Sequence, residues 1–169
     1  MSASAFFASP VFVAVCAALV LAVGGGLLTP IDDWYAALRK PAWNPPNWAF
    51  GPAWTIILAL WAWAGVLAWA GASGDGSGND GRRTVLALFA VNAICHFAWS
   101  PLFFKLRRPD WALAEVVLLW LSLVALLFGL RPYSVTATWL IVPYFAWVSF
   151  AACLNLAIVR LNKPFNRPV

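Results

Sequence analysis

The chain has 169 residues, of which 63% are hydrophobic and only 10% are charged, and its mean hydropathy is +0.81. Soluble domains average about 45–50% apolar and about 25% charged residues, so this composition excludes a soluble enzyme and a disordered chain and predicts an integral membrane protein. The net charge of +5 comes without a stripe of Lys and Arg, so we expect no nucleic-acid partner.

Five apolar stretches are long enough to cross a bilayer as helices, which takes about 20 residues each. They cover residues 6–28, 48–70, 84–104, 111–130 and 135–159. Strands of a membrane β-barrel are only about 10 residues long. The sequence therefore predicts an all-α membrane protein, a five-transmembrane-helix bundle that forms one domain over residues 1–169. The first stretch lacks the preceding Lys or Arg of a signal peptide, so we expect it to be retained.

A long aromatic loop, residues 29–47, joins the first two spans. Asp32 or Asp33 is expected to N-cap a short helix through Arg39, which Pro41 then ends. The loop is too rich in Trp and Pro for a free linker. We therefore expect it to fold back over the membrane end of the bundle.

The distribution of basic residues predicts the orientation of the chain. Only Arg82, Arg83 and Arg131 lie on the side of the N-terminus. The other eight lie on the side of the first loop, the third loop and the tail: Arg39, Lys40, Lys105, Arg107, Arg108, Arg160, Lys163 and Arg167. The C-terminus and the first loop are therefore predicted to be cytoplasmic.

The third span carries polar residues on one helical face. Asn92, His96, Trp99 and Ser100 follow one another at spacings of four, three and one residues, which places them together. His96 is the only histidine. Its role stays open among an interhelical hydrogen bond, a ligand contact and axial ligation of a haem iron, although no second His or Met lies at matching depth.

The other inward faces carry tryptophans and a carboxylate. Trp54, Trp99 and Trp147 lie too deep for anchors at the membrane interface. One face of the fifth span carries Tyr144, Trp147, Ala151 and Asn155. Glu115, one turn inside the fourth span, either reaches toward Arg107, Arg108 or water or is a polar anchor at the mouth of a cavity. The three cysteines lie in apolar runs without a C-x-x-C pair, so we expect no metal site.

Such a bundle suits a large, flat and apolar ligand. Indole rings pack against its faces and edges, and a few polar groups orient it. A porphyrin or a sterol fits this description. Arg39 and Lys40 in the loop are candidates to pair with the carboxylates of a tetrapyrrole.

Several motifs resemble those of one known family. They are W-Y-A-A-L-R-K-P-A-W-N-P-P-N-W in the first loop, G-P-A-W-T, H-F-A-W-S-P-L-F-F, W-A-L-A-E and V-P-Y-F-A-W-V-S-F-A-A-C-L-N, in that order. The chain thereby resembles the translocator protein (TspO/MBR) family, also called tryptophan-rich sensory proteins or peripheral-type benzodiazepine receptors. The resemblance covers most of the chain from Trp34 to Arg160.

This resemblance implies a homodimer whose ligand cavity opens toward the first loop, with protoporphyrin IX, haem and cholesterol among the ligands. The implied ligand-binding residues are Trp34, Tyr35, Trp43, Trp54, His96, Trp99, Glu115, Tyr144, Trp147 and Ala151. The chain has His96 where the family usually has Asn, and Glu115 where many members have Asp. Leu156 replaces the tyrosine of the animal sterol motif, so we do not expect specific sterol binding.

We expect a membrane receptor or sensor that binds tetrapyrroles such as protoporphyrin IX or haem and requires no cofactor. An alternative is an enzyme that degrades porphyrin in light, with Trp54 and Trp147 as the redox-active indoles. A second alternative is a transporter of porphyrins or sterols, although the spans show no inverted repeat. For the homodimer, small residues allow close helix approach in the first span (Ala14, Ala18, Ala22) or in the third (Ala87, Ala90).

Overall fold

The protein is a bundle of long helices in the computed structural model, which describes residues 9–74 and 79–165. The elements are α1 (Pro10–Leu27), α2 (Asp33–Ala37), α3 (Asn47–Gly74), α4 (Asn79–Ser100) with a π-helical turn (Pro101–Lys105), α5 (Pro109–Gly129) and α6 (Val135–Asn162). Those ranges contain no strand, and α1, α3, α4, α5 and α6 are each long and apolar enough to cross a membrane. The predicted all-α five-helix bundle is confirmed. Residues 6–8 of the first predicted span lie outside the described residues.

Side-chain caps fix where several helices begin. Ser9 accepts the N–H of Phe12 at 3.2 Å before α1, and Ser134 accepts the N–H of Ala137 at 3.1 Å before α6. Asp32 caps α2 by accepting the N–H of Tyr35 at 3.0 Å. Each cap satisfies a backbone donor that the first turn of a helix leaves free.

The predicted extent of α2 is wrong at its end, because the helix stops at Ala37 and not at Arg39. Leu38 takes an extended conformation. The Lys40 ammonium caps the C-terminal end of the helix by donating to the carbonyl oxygens of Tyr35 and Leu38. A cation at the carbonyl end of a helix is favourable. Lys40 thus ends the helix before Pro41 is reached.

The helices pack so that one end of the bundle is filled and the other is open. Helix α3 lies against α1, α4 and α6, while α5 lies against α4 and α6. In the filled end, Trp61 Nε1 donates to Asn92 Oδ1 at 2.9 Å, and Asn92 Nδ2 donates to Ser122 Oγ at 2.9 Å. These bonds join α3, α4 and α5 through buried polar groups. At the turn between α5 and α6, Gly71 lies directly against the Tyr133 carbonyl.

The first loop folds back onto the open end of the bundle, as expected. Tyr35 is buried against Phe103 and Phe104. Asn162, the last residue of α6, accepts the backbone N–H of Arg39 at 2.9 Å and donates to its carbonyl at 2.8 Å. The segment with α2, residues 28–46, is called the lid below.

The lid is also tied to the end of α4. Asp32 and Arg107 form an ion pair at 3.2 Å, and the Arg107 guanidinium lies 5.7 Å from the centre of the Trp34 ring. Arg107 has a φ of 53°, which is uncommon for a residue with a side chain. The π-helical turn before it buries both Phe103 and Phe104.

Candidate ligand-binding cavity

A cavity of about 430 Å³ lies under the lid. This volume is within the range of small-molecule sites, about 300–1,000 Å³. All five long helices contribute to its wall, and the wall is mostly apolar. On α1, a Cβ added at Gly25 or Gly26 would meet no atom within 4 Å, so these two glycines widen the cavity.

Trp54 of α3 is at the centre of an aromatic cluster on the cavity wall. Its ring centre lies 4.8 Å from that of His96, 5.8 Å from that of Tyr144 and 6.3 Å from that of Trp147. All three contacts are edge-to-face, with interplanar angles of 80–83°. Edge-to-face packing is a preferred arrangement of aromatic rings, so the indole is held in place before any ligand enters.

His96 combines one fixed nitrogen with one free nitrogen. Its Nδ1 lies 2.7 Å from the hydroxyl of Tyr144, which is only 1% exposed. Its Nε2 has no hydrogen-bond partner among the described residues, while the His96 side chain lines the cavity. The imidazole therefore presents an unused nitrogen on a ring whose orientation is set from behind.

Trp99 and the π-helical turn form the wall near the lid. The Trp99 ring stacks on Phe103 with centres 5.0 Å apart and an interplanar angle of 27°. The Trp99 Nε1 is buried and has no hydrogen-bond partner. The next residue, Ser100, accepts a hydrogen bond from the Thr29 hydroxyl at 3.2 Å, which ties the start of the lid to the end of α4 at the cavity.

Charged groups of the lid lie next to Tyr35, a residue of the cavity wall, but do not line the cavity themselves. The Lys40 ammonium lies 4.2 Å from the centre of the Tyr35 ring, and burial lowers the pKa of Lys40. Burial likewise raises the pKa of Tyr35, which lines the cavity. The Tyr35 N–H and the Arg107 guanidinium hold the pKa of Asp32 below its ordinary value. Both a cation and an ion pair are thus built into the lid.

Comparison with known proteins decides the family. The model of the TspO/MBR family matches residues 12–161. The chain belongs to this family. Tryptophan-rich protein TspO of Chlorobaculum tepidum is 38% identical over 153 residues, which are 88% of this chain and 94% of the relative. The tryptophan-rich sensory protein of Cereibacter sphaeroides is 38% identical over 157 residues, 93% of this chain and 91% of the relative.

More distant members of the family include animal proteins. The translocator protein of Homo sapiens is 32% identical over 129 residues, 76% of this chain and 75% of that protein. Together with five helices that can cross a membrane, membership of the TspO/MBR family makes the chain a multi-pass integral membrane protein whose outer helix faces contact the lipid bilayer.

The structure brings six of the ten predicted site residues onto the wall of the cavity. These six are Tyr35, Trp54, His96, Trp99, Trp147 and Ala151. Tyr144 lies behind His96 and fixes its ring. Trp34 packs edge-on against Phe103, and Trp43 packs against Phe150 with half of its surface exposed. Neither lid tryptophan lines the cavity, and of their two ring partners only Phe103 belongs to the wall.

Glu115 of α5 is buried but is not part of the cavity wall. Only 7% of its surface is exposed, and neither carboxylate oxygen has a hydrogen-bond partner within residues 9–74 and 79–165. The two nearby arginines considered as partners are engaged elsewhere, since Arg108 binds Asp110 at 2.5 Å and Arg107 binds Asp32. The predicted contact of Glu115 with Arg107 or Arg108 is therefore not seen.

Several residues of the cavity wall are not among the predicted site residues. Gly25 and Gly26 of α1, and Phe103 and Phe104 of the π-helical turn, line the cavity. Three successive glycines, 24–26, inside an apolar helix were an available signal, because glycine weakens a helix and needs a packing reason. At Gly24 the reason is visible: an added Cβ would lie 2.4 Å from the Phe97 ring, so α1 approaches α4 closely there.

Proposed function

We propose that the protein is a membrane receptor that binds tetrapyrroles, such as protoporphyrin IX or haem, in the cavity under the lid. The observation that carries this proposal is Trp54, held edge-on by His96, Tyr144 and Trp147 beside an empty apolar space. A flat conjugated ring can pack on these indoles and leave the mostly apolar wall covered. Relatives named tryptophan-rich sensory protein support a sensing role.

Cations at the lid suit the carboxylates that a protoporphyrin carries. Lys40 lies over the ring of Tyr35, which is part of the cavity wall, and Arg39 precedes it with an exposed side chain. An ion pair that is partly shielded from water contributes more than one on the surface. A ligand carboxylate can therefore replace the carbonyl oxygens that Lys40 now binds.

Quenching of tryptophan emission tests the binding site. We expect protoporphyrin IX to quench the wild-type protein with saturation, and the double variant Trp54→Phe, Trp147→Phe to lose about ten-fold in affinity, because two of the packing surfaces become smaller. The matched control is Trp63→Phe, Trp139→Phe, since both of these rings are more than half exposed on the outside of the bundle. Equal quenching curves for the two double variants would place the ligand outside this cavity.

A second candidate function is light-dependent oxidation of a bound porphyrin by dioxygen. Trp54 and Trp147 favour it, because their ring centres are 6.3 Å apart on the cavity wall and an electron can pass between an indole and an excited porphyrin. Illumination of the complex in air should then give a discrete product that the Trp54→Phe, Trp147→Phe variant does not form. Bleaching equal to that of free porphyrin would reject the enzyme.

We also propose a homodimer that forms through α4. Ala14 and Ala18 of α1 pack against the core of their own chain, whereas Ala87 and Ala90 of α4 are exposed on the outside. Small residues allow helices to approach closely in a membrane. Ala90→Phe should therefore shift the protein toward the monomer in cross-linking experiments. Ala125→Phe, at an exposed position of α5, is the control, and equal dimer fractions would reject the α4 interface.

For orientation, we propose that the lid and the C-terminus face the cytoplasm. The support is the predominance of Lys and Arg on that side of the spans. A cysteine placed at Lys163 should be protected from an impermeant thiol reagent in intact cells and react after lysis. Labelling of intact cells would reverse the orientation.

A further inference from the structure

The free nitrogen of His96 has a specific use in a cavity that takes tetrapyrroles. We propose that His96 Nε2 coordinates the metal of a metalloporphyrin, so that the preferred ligand is the iron or zinc complex and not the metal-free ring. This inference rests on the proposed tetrapyrrole site. It identifies the class of ligand within it and assigns a metal-ligating residue.

The surroundings of His96 match those of a metal-ligating histidine. Such a histidine usually makes a hydrogen bond with its other nitrogen, which fixes the tautomer and the plane of the ring. Here Nδ1 is 2.7 Å from the buried hydroxyl of Tyr144. When Nδ1–H donates to this hydroxyl, Nε2 carries the lone pair that a metal needs. The edge contact with Trp54 at 4.8 Å holds the ring from a further side.

A hydrogen bond between helices explains only half of this arrangement. Asn92, one turn earlier on α4, uses its amide oxygen for Trp61 and its amide nitrogen for Ser122. His96 uses only one of its two ring nitrogens, Nδ1, for a hydrogen bond within the described residues. An Asn at position 96 could also reach Tyr144, but an amide is a far weaker ligand for iron or zinc than an imidazole.

A metal ion in this cavity would need to be bound already to a chelating ligand such as a porphyrin. The described part of the chain contains no group of three or more His, Cys, Asp and Glu side chains that could hold a free ion. A porphyrin supplies four nitrogens and needs only one more. Among the residues on the cavity wall, none is Cys or Met, and His96 is the one imidazole. His96 is therefore the residue of the wall that would supply the further nitrogen to the metal of such a complex.

The experiment uses the full chain in detergent micelles, purified without a histidine tag, with haem and protoporphyrin IX as the two probes. His96→Asn should lower the affinity for haem at least about ten-fold and leave that for protoporphyrin IX within about two-fold. Tyr144→Phe should lower haem affinity less, because it removes only the hydrogen bond behind the ligand. The absorption spectrum of bound haem should change in His96→Asn.

A second measurement on the wild-type protein does not depend on the folding of any variant. His96 is the only histidine, so ¹⁵N-histidine should shift the iron–histidine stretching band in the resonance Raman spectrum of the ferrous haem complex. A haem complex without such a band, or one with the same spectrum and affinity in His96→Asn, overturns the inference and leaves the tetrapyrrole site intact. Failure of both probes to bind the wild-type protein would instead reject the site itself.

Discussion

Trp54 and Trp61 lie two turns apart on α3 and have opposite surroundings. Trp61 is 3% exposed, donates to Asn92 at 2.9 Å and packs edge-on against Phe89. Trp54 also faces a polar residue of α4, His96, but beside it there is open space. The same helix pair thus forms a filled end around Trp61 and a cavity around Trp54.

The difference lies in how completely polar groups are satisfied. In the filled end, Trp61, Asn92 and Ser122 bind one another, and Ser122 also donates to the Leu119 carbonyl. In the cavity end, His96 keeps a free nitrogen. Buried polar groups normally find partners. A bundle can therefore use one end for stability and reserve the other for a ligand.

The largest effect on stability is expected at the filled end from Gly71→Ala. The new Cβ would lie 1.9 Å from the backbone oxygen of Tyr133, and backbone cannot move aside as a side chain can. We expect a loss of about 3 kcal/mol, the upper end for overpacking, as a lower midpoint of thermal unfolding. Gly65→Ala in the same helix is the control, because its Cβ would meet only the Phe89 ring at 3.5 Å. Equal unfolding midpoints would contradict the close contact.

The next effect should come from Asn92→Ala, which leaves Trp61 Nε1 and Ser122 Oγ without their partner. Hydrogen bonds between helices in a membrane contribute about 1–2 kcal/mol, so the variant should unfold at lower temperature. Its affinity for protoporphyrin IX should stay unchanged. A large loss of affinity would show that the two ends of the bundle are not independent.

The comparison is sharpest between Trp54→Phe and Trp61→Phe. We expect Trp54→Phe to weaken porphyrin binding about five-fold, roughly 1 kcal/mol, with little change in unfolding temperature. Trp61→Phe should do the reverse, because it removes the donor to Asn92 and leaves the cavity wall intact. Both quantities are measurable by tryptophan fluorescence. Parallel changes in both variants would abolish the distinction between the two ends.

The smallest effect is expected from Asp32→Asn in the lid. Asn also caps helices well, so this variant loses the charge pair with Arg107 and keeps the cap. Ligand dissociation should become about two-fold faster, as suits an exposed ion pair. Asp33→Asn is the control, since Asp33 has no ion pair within the described residues. No difference between the two variants would show that the pair does not hold the lid.

The same ion pair predicts a dependence on pH. The folded-state pKa of Asp32 is below its ordinary value, so the pair is fully formed above the unfolded-state pKa of about 4. It is lost as the pH falls through the lower, folded-state pKa. The ion pair should therefore not change the rate of ligand dissociation from the wild-type protein between pH 7 and 5. In more acidic solution this rate should approach that of Asp32→Asn.

Much of the fold and part of the cavity are readable in the amino-acid sequence. Span length and hydropathy predict the five helices, because a bilayer imposes both. Helical spacing places Asn92, His96 and Trp99 on one face of α4. It does not tell which of them is satisfied: Asn92 is fully buried in a network, while His96 lines the cavity.

What remained unpredictable depends on how the helices rotate and approach one another. Glu115 lies on the same helix as the wall residues Val116 and Leu119, yet it does not line the cavity itself. Trp34 and Trp43, which are predicted to contact ligand, pack against Phe103 and Phe150 and do not line the cavity. The hydrogen bond between Tyr144 and His96 joins residues 48 positions apart, and no local pattern contains it.

The contact between Asn162 and Arg39 has a consequence for how the molecule is made. The side chain that hydrogen-bonds to the backbone of the lid belongs to the last residue of α6. Trp147 and Ala151 of the same helix are part of the cavity wall. During synthesis the ribosome adds these residues more than a hundred positions after the lid. A nascent chain that lacks the final helix therefore cannot close the cavity, which forms only once α6 has entered the bilayer.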